Sequence, residues 1–546
     1  MPTKGIGRKG EDRGHAPAMS RHAVLVATGI LLSRIAGLIR DRVFAHYFGS
    51  SDAADAFRAA FRIPNFLQNL FGEGVLSASF IPVYANLVAR GEKDEADRVA
   101  SAVFSLLALA VSFLVLVGVL VTPYLIDAIA PGFKGPKREL TIVLVRILFP
   151  GSGLLALSAW CLGILNSHRK FFISYAAPVA WNLVMIGSLV GFGSRMGEFP
   201  LTKALAWGSV VGSAVQFGVQ IPQVTRLVHS FRATLGFKME NVRAVVRNFV
   251  PVFFSRGVVQ ISAYIDSLLA SLLPTGALAG LVYAQTLYTL PVSLFGMSVS
   301  ASELPALSSA LGEEGEVNEY LRRRLNSGLR QIALFVVPSA MAFLSLGDVV
   351  AGAIYQTGLF TRRDTTYVWA ILAGSAVGLL ATTLGRLYAS VYYALKDTRT
   401  PLRYAIVRVA LTAGLGYASA ILLPPFLGIN PRWGVVGLTA SAGVSGWIEF
   451  ALLRNSLDAR IGNTGLPASF VAKLWLAAGI GAALGWAGKL TLRAYHPILI
   501  GFVSLGLYGV VYFWMTSVFR IPEARGLVQK AIRFVGVGRD PDQGSA

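Results

Sequence analysis

The sequence predicts an all-α polytopic membrane protein with about fourteen spanning helices. Three observations predict it. The 546-residue chain is 54% hydrophobic and only 14% charged, with a mean hydropathy of +0.60, which is not the balance of a soluble globular domain. Apolar stretches of about 20 residues, the length that crosses a bilayer, recur along nearly the whole chain. Basic residues alternate between dense and sparse loops: 31 Lys and Arg fall in one set and 12 in the other. By the positive-inside rule the dense set is cytoplasmic, which puts both termini in the cytoplasm and requires an even number of spans.

The first stretch, residues 22–48, follows a basic tail, 1–21. It is too long for a signal peptide and carries Arg34, Arg40, Asp41 and Arg42 where a signal core would be apolar. It therefore reads as a retained helix behind a disordered tail. The remaining candidates are 64–89, 99–126, 140–165, 172–192, 204–225, 248–272, 278–303, 331–347, 366–394, 404–423, 433–453, 470–488 and 496–518. The net charge of +21 lies mostly in short loops between these spans, and no basic face with interleaved aromatics appears, so nucleic acid is not expected as a partner. The single cysteine, Cys161, sits in an apolar run and cannot form an intrachain disulfide. The six histidines are scattered without ligand spacing, so no metal is expected.

An internal repeat organises the spans. Residues 77–82, Ser-Ala-Ser-Phe-Ile-Pro, match residues 300–305, Ser-Ala-Ser-Glu-Leu-Pro. Each follows a Phe-Gly pair (Phe71-Gly72, Phe295-Gly296) and an earlier proline (Pro64, Pro291), at offsets of 223 to 227. Ser33-Arg34 meets Ser255-Arg256 at 222, and the basic loop 166–171 falls near 395–401. The expected organisation is a tail (1–21), a lobe of helices 1–6 (22–228), a lobe of helices 7–12 (229–456), helices 13–14 (457–518) and a basic tail (519–546). A repeat of six helices preserves orientation, so the lobes are parallel repeats. Carriers built this way bind between their halves.

Six arginines lie inside the apolar spans: Arg34, Arg40, Arg42, Arg146, Arg256 and Arg386. An arginine at the centre of a lipid-facing helix costs roughly 2.5–3.5 kcal/mol, so six would cost on the order of 15–20 kcal/mol. Most must face a wet cavity, a partner or an interface. The natural occupant of an arginine-lined cavity is an anion, phosphate above all. On the first helix, seven-residue spacing pairs Ser33 with Arg40, and Arg34 with Asp41, on adjacent faces. Asp52, Asp55, Arg58 and Arg62 follow, and Glu73 sits deeper between Gly72 and Gly74. Two readings stand here: a cavity set of Arg34, Arg40, Asp41, Asp55 and Arg62, or local ion pairs that lock helices together. Arg42, Arg146, Arg58 and Arg62 also lie near enough to an interface to snorkel. In the second half Arg256, the counterpart of Arg34, should point at the central cleft, with Asp266 ten residues on. Phosphate-loop, zinc-protease and serine-hydrolase signatures are missing, so the chain reads as a carrier and not an enzyme. Without a nucleotide site or other cofactor, transport must draw on the membrane potential, an ion gradient or a partner.

These residues resemble the MurJ (MviN) family. The resemblance rests on Ser33-Arg34, Arg40-Asp41, Asp55-Ala-Phe, Pro64-Asn65, Phe71-Gly72-Glu73-Gly74 and Phe80-Ile81-Pro82. It continues through Ala130-Pro131-Gly132-Phe133, Leu165-Asn166, Ala177-Pro178, Leu290-Pro291, Leu304-Pro305 and Tyr393–Pro401. It implies a bacterial inner-membrane lipid II flippase of the multidrug/oligosaccharidyl-lipid/polysaccharide exporter superfamily, with fourteen helices and a final pair forming a groove for the lipid tail. By position it matches Arg34, Arg40, Asp41 and Asp55 to family cavity residues tied to function and Arg62 to a basic position of the family motif; the expected site is substrate binding by Ser33, Arg34, Arg40, Arg62, Asn65 and Arg256, with charge balance or gating by Asp41, Asp55 and Glu73. Two departures matter. Gln68-Asn69 stands where the family usually carries basic residues, and Ala284-Gln285-Thr286-Leu287 where it reads Ala-Asp-Arg-Leu. Arg256 is the expected substitute for the missing second-lobe charge.

The rival functions are a flippase for another polyprenyl-pyrophosphate glycan, a cation-coupled drug exporter, and a scaffold that recruits cell-wall synthesis proteins through the basic tail from Arg520. The arginine excess opposes the exporter, whose cavity should be acidic and aromatic.

Overall fold

In hydrocarbon a chain must satisfy its own backbone N–H and C=O groups, so each apolar stretch folds as a helix. The computed structural model describes residues 21–71, 73–262, 264–309 and 314–524. Among them the helical segments, in order, are α1 (Arg21–Phe48), α2 (Asp52–Ala89), α3 (Lys93–Ile129), α4 (Gly135–Ser167), α5 (Phe171–Phe192), α6 (Glu198–Thr225) and α7 (Glu240–Ser262 with Ile265–Ser271). They continue as α8 (Ala277–Ser308), α9 (Glu314–Ser345), α10 (Arg362–Ala376 with Leu379–Ala394), α11 (Arg399–Phe426), α12 (Pro431–Ile461), α13 (Ala468–Thr491) and α14 (Pro497–Val518). A short helix, Gly347–Tyr355, joins α9 to α10. The described residues form no strand beyond an isolated bridge between Thr357 and Phe360.

Eleven of these segments are long and apolar enough to cross a membrane, and α10 makes twelve when its two pieces, bent by 42°, count as one. The other two, α1 and α7, carry the charges that the sequence placed inside spans. Two boundaries differ materially from expectation: α9 begins at Glu314 and not at residue 331, and the start of α2 also moves. α2 begins at Asp52 and not at residue 64, so Arg58 and Arg62 lie within the helix and away from a loop. Four alanines between Asp52 and Ala60 favour helix there in spite of the polar residues.

Prolines shape the long helices. Pro291 cannot donate to the helical ladder, and directly after it α8 widens into a π-turn, Val292–Met297. In α9, Pro338 frees the carbonyl of Leu334, which instead accepts from the Tyr512 hydroxyl of α14 at 2.5 Å. α11 starts on an aspartate cap: Asp397 accepts from the backbone N–H groups of Arg399 (3.1 Å) and Thr400 (3.0 Å). The Thr400 backbone N–H and hydroxyl, then Arg460, hold the Asp397 carboxyl well below the usual carboxylate range.

The ends of α4 and α10 close alike, as the end of α14 does at Arg520 (φ +57°). α4 ends with Arg169 at φ +58°, and α10 ends with Lys396 at φ +60°. Both close the same way. Arg169 N donates to Asn166 O (3.0 Å) and Lys170 N to Leu165 O (2.8 Å); Lys396 N donates to Tyr393 O (3.0 Å) and Asp397 N to Tyr392 O (2.9 Å). A left-handed turn at a basic residue therefore recurs at an offset of 227.

Most of the dense packing falls within two groups, and α2 also packs closely on α7 across them. α1 packs on α5, α4 on α2, α3 and α6, and α5 on α6; in the second half α10 packs on α8, α9 and α12, and α11 on α12. α13 and α14 pair with each other, α13 packs on α9, and α14 packs on Gly347–Tyr355. Glycines allow close crossings: a Cβ on Gly378 of α10 would stand 2.4 Å from Gly443 Cα of α12. On the outside, Leu109, Phe113, Leu116, Leu120 and Tyr124 of α3 form an exposed apolar stripe suited to lipid. The structure is thus two six-helix bundles in parallel repeat, with α13 and α14 appended.

Candidate functional site

One junction between the bundles lies where α1 turns into α2, and another where Phe71 of α2 packs on Phe249 and Phe253 of α7. Asp55, almost fully buried in α2, accepts from the backbone N–H groups of Gly276 (2.8 Å) and Ala279 (2.7 Å). Those donors belong to the start of α8, whose unpaired N–H groups and positive dipole end favour a carboxylate. Lys137 of α4 adds a bond to Asp55 at 2.7 Å and one to Asp52 at 2.9 Å. Thr275 donates its hydroxyl to Asp52 (2.8 Å), and Tyr283 donates to Gly49 O (3.0 Å). Arg42 also takes part. Its Nη1 donates to Ala353 O (2.8 Å) and Ile354 O (2.7 Å), capping the carbonyl end of Gly347–Tyr355. Arg42 thus crosses to the second bundle and does not snorkel.

Deeper, Asp41 is buried and holds two arginines. Arg40 reaches it at 3.1 Å and Arg58 at 3.2 Å. The Arg34–Asp41 pairing suggested by spacing does not form, because seven residues separate the two by about 10 Å along the axis. Arg58 of α2 comes closer. It also lies over Phe44 (4.3 Å) and Tyr283 (5.0 Å), so it is a buried bundle residue and not an interfacial one. For Arg58 the ion-pair reading holds.

The other arginines face the second bundle. Arg34, exposed, donates to Ser293 Oγ at 3.1 Å, on the π-turn of α8. Arg62 donates from Nη2 to Gln285 Oε1 at 2.7 Å, two helical turns earlier on α8. Both acceptors are neutral, so neither arginine loses its charge to its partner. Arg40 lies 5.3 Å from the Trp181 ring centroid. Trp181 and Asn65 line a small cleft inside the first bundle with Ser152, Ser209 and Ser213. Ser33 is half-buried on α1. Arg146 and Arg386 are exposed on α4 and α10. The side chains of Arg256, Glu73 and Gln68 lie outside the described residues.

Three participants escaped the sequence reading. Lys137 reads as a loop lysine, yet it neutralises Asp52 and Asp55. Tyr283 reads as core, yet it contacts Arg58 and Gly49. Arg408 counts by position as a cytoplasmic-side charge, yet it lies inside α11 and pairs with Glu449 of α12 at 3.1 Å. An acid in an apolar span, Glu449, was the available signal.

Beside the Arg34 contact lies an apolar cavity of about 320 Å³. Its walls include Leu290, Leu294 and Phe295 of α8, Phe335 and Ser339 of α9, and Tyr508 and Tyr512 of α14. The two tyrosine hydroxyls are spent on α9 carbonyls, Pro338 O (2.6 Å) and Leu334 O (2.5 Å).

Residues 44–506 match the family model described as lipid II flippase MurJ. A probable lipid II flippase MurJ of Rhizobium tropici is 33% identical over 431 residues, covering 78% of each chain. A lipid II flippase MurJ of Burkholderia cenocepacia is 31% identical over 438 residues, 79% of this chain and 82% of its own. Among solved structures, a lipid II flippase MurJ in an inward closed conformation superposes with a TM-score of 0.74 at 25% identity, over 92% of this chain and all of that one. An inward-facing multidrug transporter of the MATE family, in the MOP superfamily, shares the fold with a TM-score of 0.61 at 15% identity, over 80% of this chain and 98% of its own. With a match that spans most of its length, with relatives above 30% identity and with the same helical fold, this chain belongs to the MurJ lipid II flippase family.

Proposed function

We propose that this chain carries lipid II, the polyprenyl-pyrophosphate-linked peptidoglycan precursor, from the cytoplasmic to the outer leaflet of a bacterial inner membrane by alternating access. The observation that carries the reading is a pair of arginines at the bundle junction whose hydrogen-bond acceptors are neutral, Arg34 on Ser293 and Arg62 on Gln285. Neutral acceptors hold these side chains in place without neutralising them, so a dianionic pyrophosphate gains their full charge. Arg40 joins them, with Asp41 as its counter-ion in the empty site. The apolar cavity between α8, α9 and α14 suits the lipid tail.

With both termini cytoplasmic, the Asp55–α8 junction lies on the outer side and acts as the gate. Residues 22–228 and 229–456 then rock as bodies about the arginines. The membrane potential is a sufficient source, at about 2.3 kcal/mol per charge per 100 mV. Gln68, Gln285 and Thr286 favour one second reading, a flippase for a different glycan on the same pyrophosphate handle.

The test is complementation in a bacterium depleted of its own lipid II flippase, reading lipid II accessible at the outer leaflet. Restored accessibility that is lost again with Arg40→Ala supports the proposal. A correctly inserted chain that restores none removes lipid II as the substrate.

A further inference from the structure

Arg408 lies at the centre of the helix Arg399–Tyr417, where a lipid-facing arginine would be costly. Polar groups converge on it from several directions. Glu449 of α12 binds its Nη1 at 3.1 Å. Asp266 of α7 lies within electrostatic reach of both Arg408 and Arg62, which comes from the opposite bundle. Glu449 is within reach of Arg386 of α10 as well, and Tyr288 of α8 within reach of Arg386 and Arg408. Charged and polar side chains from five helices of the second bundle thus lie within electrostatic reach of one another, and Arg62 of the first bundle lies within reach of Asp266.

Two atoms in this region are buried with no hydrogen-bond partner among the described residues: Arg62 Nη1, a donor, and Asp266 Oδ1, an acceptor. Buried polar atoms without partners are rare and call for a specific reason. Three arginines against two carboxylates leave the region positive. Arg408 keeps 36% of its side chain exposed beside Glu449, so an additional acceptor has room to approach. One tetrahedral anion supplies the acceptor that Arg62 Nη1 lacks and a second acceptor for the open edge of Arg408, while the Asp266 oxygen, itself an acceptor, competes with it for the same arginines.

We propose that Arg62 and Arg408 together hold one phosphate of the substrate's pyrophosphate, leaving the other to Arg34 and Arg40, while Asp266 and Glu449 serve as counter-ions when the site is empty. The proposal rests on the pyrophosphate-carrier reading and deepens it by assigning the second bundle's share of the headgroup site.

The test uses the purified full-length chain in detergent, with heptaprenyl pyrophosphate, heptaprenyl monophosphate and inorganic pyrophosphate as probes. Wild type should bind the lipid pyrophosphate at least tenfold more tightly than the monophosphate. The double variant Arg408→Ala with Glu449→Gln removes the ion pair without stranding a carboxylate. It should keep its monophosphate affinity and lose the tenfold preference. Asp266→Asn removes a competing carboxylate and should tighten pyrophosphate binding several-fold. Inorganic pyrophosphate should compete with the lipid on wild type and lose that advantage on the double variant. A double variant that discriminates like wild type, or an Asp266→Asn protein with unchanged affinity, overturns the assignment and leaves the carrier reading intact. A wild-type chain that binds no polyprenyl pyrophosphate overturns both.

Discussion

The Asp55 carboxylate in α2 accepts a 2.8 Å hydrogen bond from the backbone N–H of Gly276, the residue that precedes α8. Main-chain donors of one bundle thereby hold a side chain of the other, beside the Thr275–Asp52 and Tyr283–Gly49 bonds. Gly276 has φ +84°, a conformation that suits glycine, and an added Cβ would stand 2.6 Å from Ser50 O. The contact with Gly276 and Ala279 therefore depends on a single side chain, Asp55.

Asp55→Asn is expected to loosen this junction, because an amide keeps the shape and removes the charge that both the helix terminus and Lys137 favour. In a Cys161→Ala background, Ala279→Cys reports on it, since Ala279 is fully buried. Labelling by a membrane-impermeant maleimide in intact cells should rise several-fold with Asp55→Asn. Equal labelling in both backgrounds would rule out a gate at this contact.

Arg58 and Arg40 share Asp41 and should behave differently. Arg58 is buried, with two nitrogens on the carboxylate and two aromatic rings against it. Removing one member of a buried pair costs roughly 3–5 kcal/mol, so Arg58→Ala should lower the melting temperature sharply. Arg58→Lys should rescue it only in part, since an ammonium cannot reproduce the planar contacts. Arg40 is less buried than Arg58 and leaves Asp41 still paired when removed, so Arg40→Ala should lower stability less than Arg58→Ala while abolishing complementation. Similar melting temperatures for Arg40→Ala and Arg58→Ala would contradict the division.

Much of the fold was legible because span length and loop charge are set by the bilayer itself. The repeat was legible from Phe-Gly and Ser-Ala-Ser matches, and the turns at Arg169 and Lys396 are consistent with it, though the same turn also closes α14 at Arg520. The site was legible only as a set of charges. Spacing along one helix shows which residues share a face, yet Asp41 chose Arg58, whose position depends on how α2 packs against α1. Arg42 looked interfacial because nothing in the sequence near it marks Gly347–Tyr355 as a helix whose carbonyls need a cap. Arg408 was hidden by its place at the edge of a basic loop. In each case the missing information was tertiary, a partner hundreds of residues away or on a neighbouring helix.

The matched turns at Arg169 and Lys396 make a stability prediction. A side chain in the left-handed region costs roughly 1–2 kcal/mol, and a basic residue there recovers part of it by facing the negative end of its helix. Glycine removes the strain but adds unfolded-state entropy, so Arg169→Gly and Lys396→Gly should each shift stability by less than about 1 kcal/mol. Valine should destabilise both sites by more, because branching at Cβ worsens the left-handed clash. Thermal unfolding of the four variants checks this, and opposite orders at the two sites would argue against equivalent turns.

The apolar cavity yields the most direct separation of tail from headgroup. Ser339 lines it from α9, and its hydroxyl is already bonded to Phe335 O of its own helix at 2.8 Å. Ser339→Trp would occupy much of the 320 Å³ without touching Arg34, Arg40 or Arg62. If the cavity takes the polyprenyl tail, this variant should lose affinity for long-chain pyrophosphates about tenfold and keep its affinity for inorganic pyrophosphate. The gap should shrink as the prenyl chain is shortened, because each buried CH₂ contributes about 0.8 kcal/mol and a short chain never reaches Ser339. An equal loss for every probe would mean that the tryptophan acts by distorting α8 around Ser293, and the cavity would then have no separate role in tail binding.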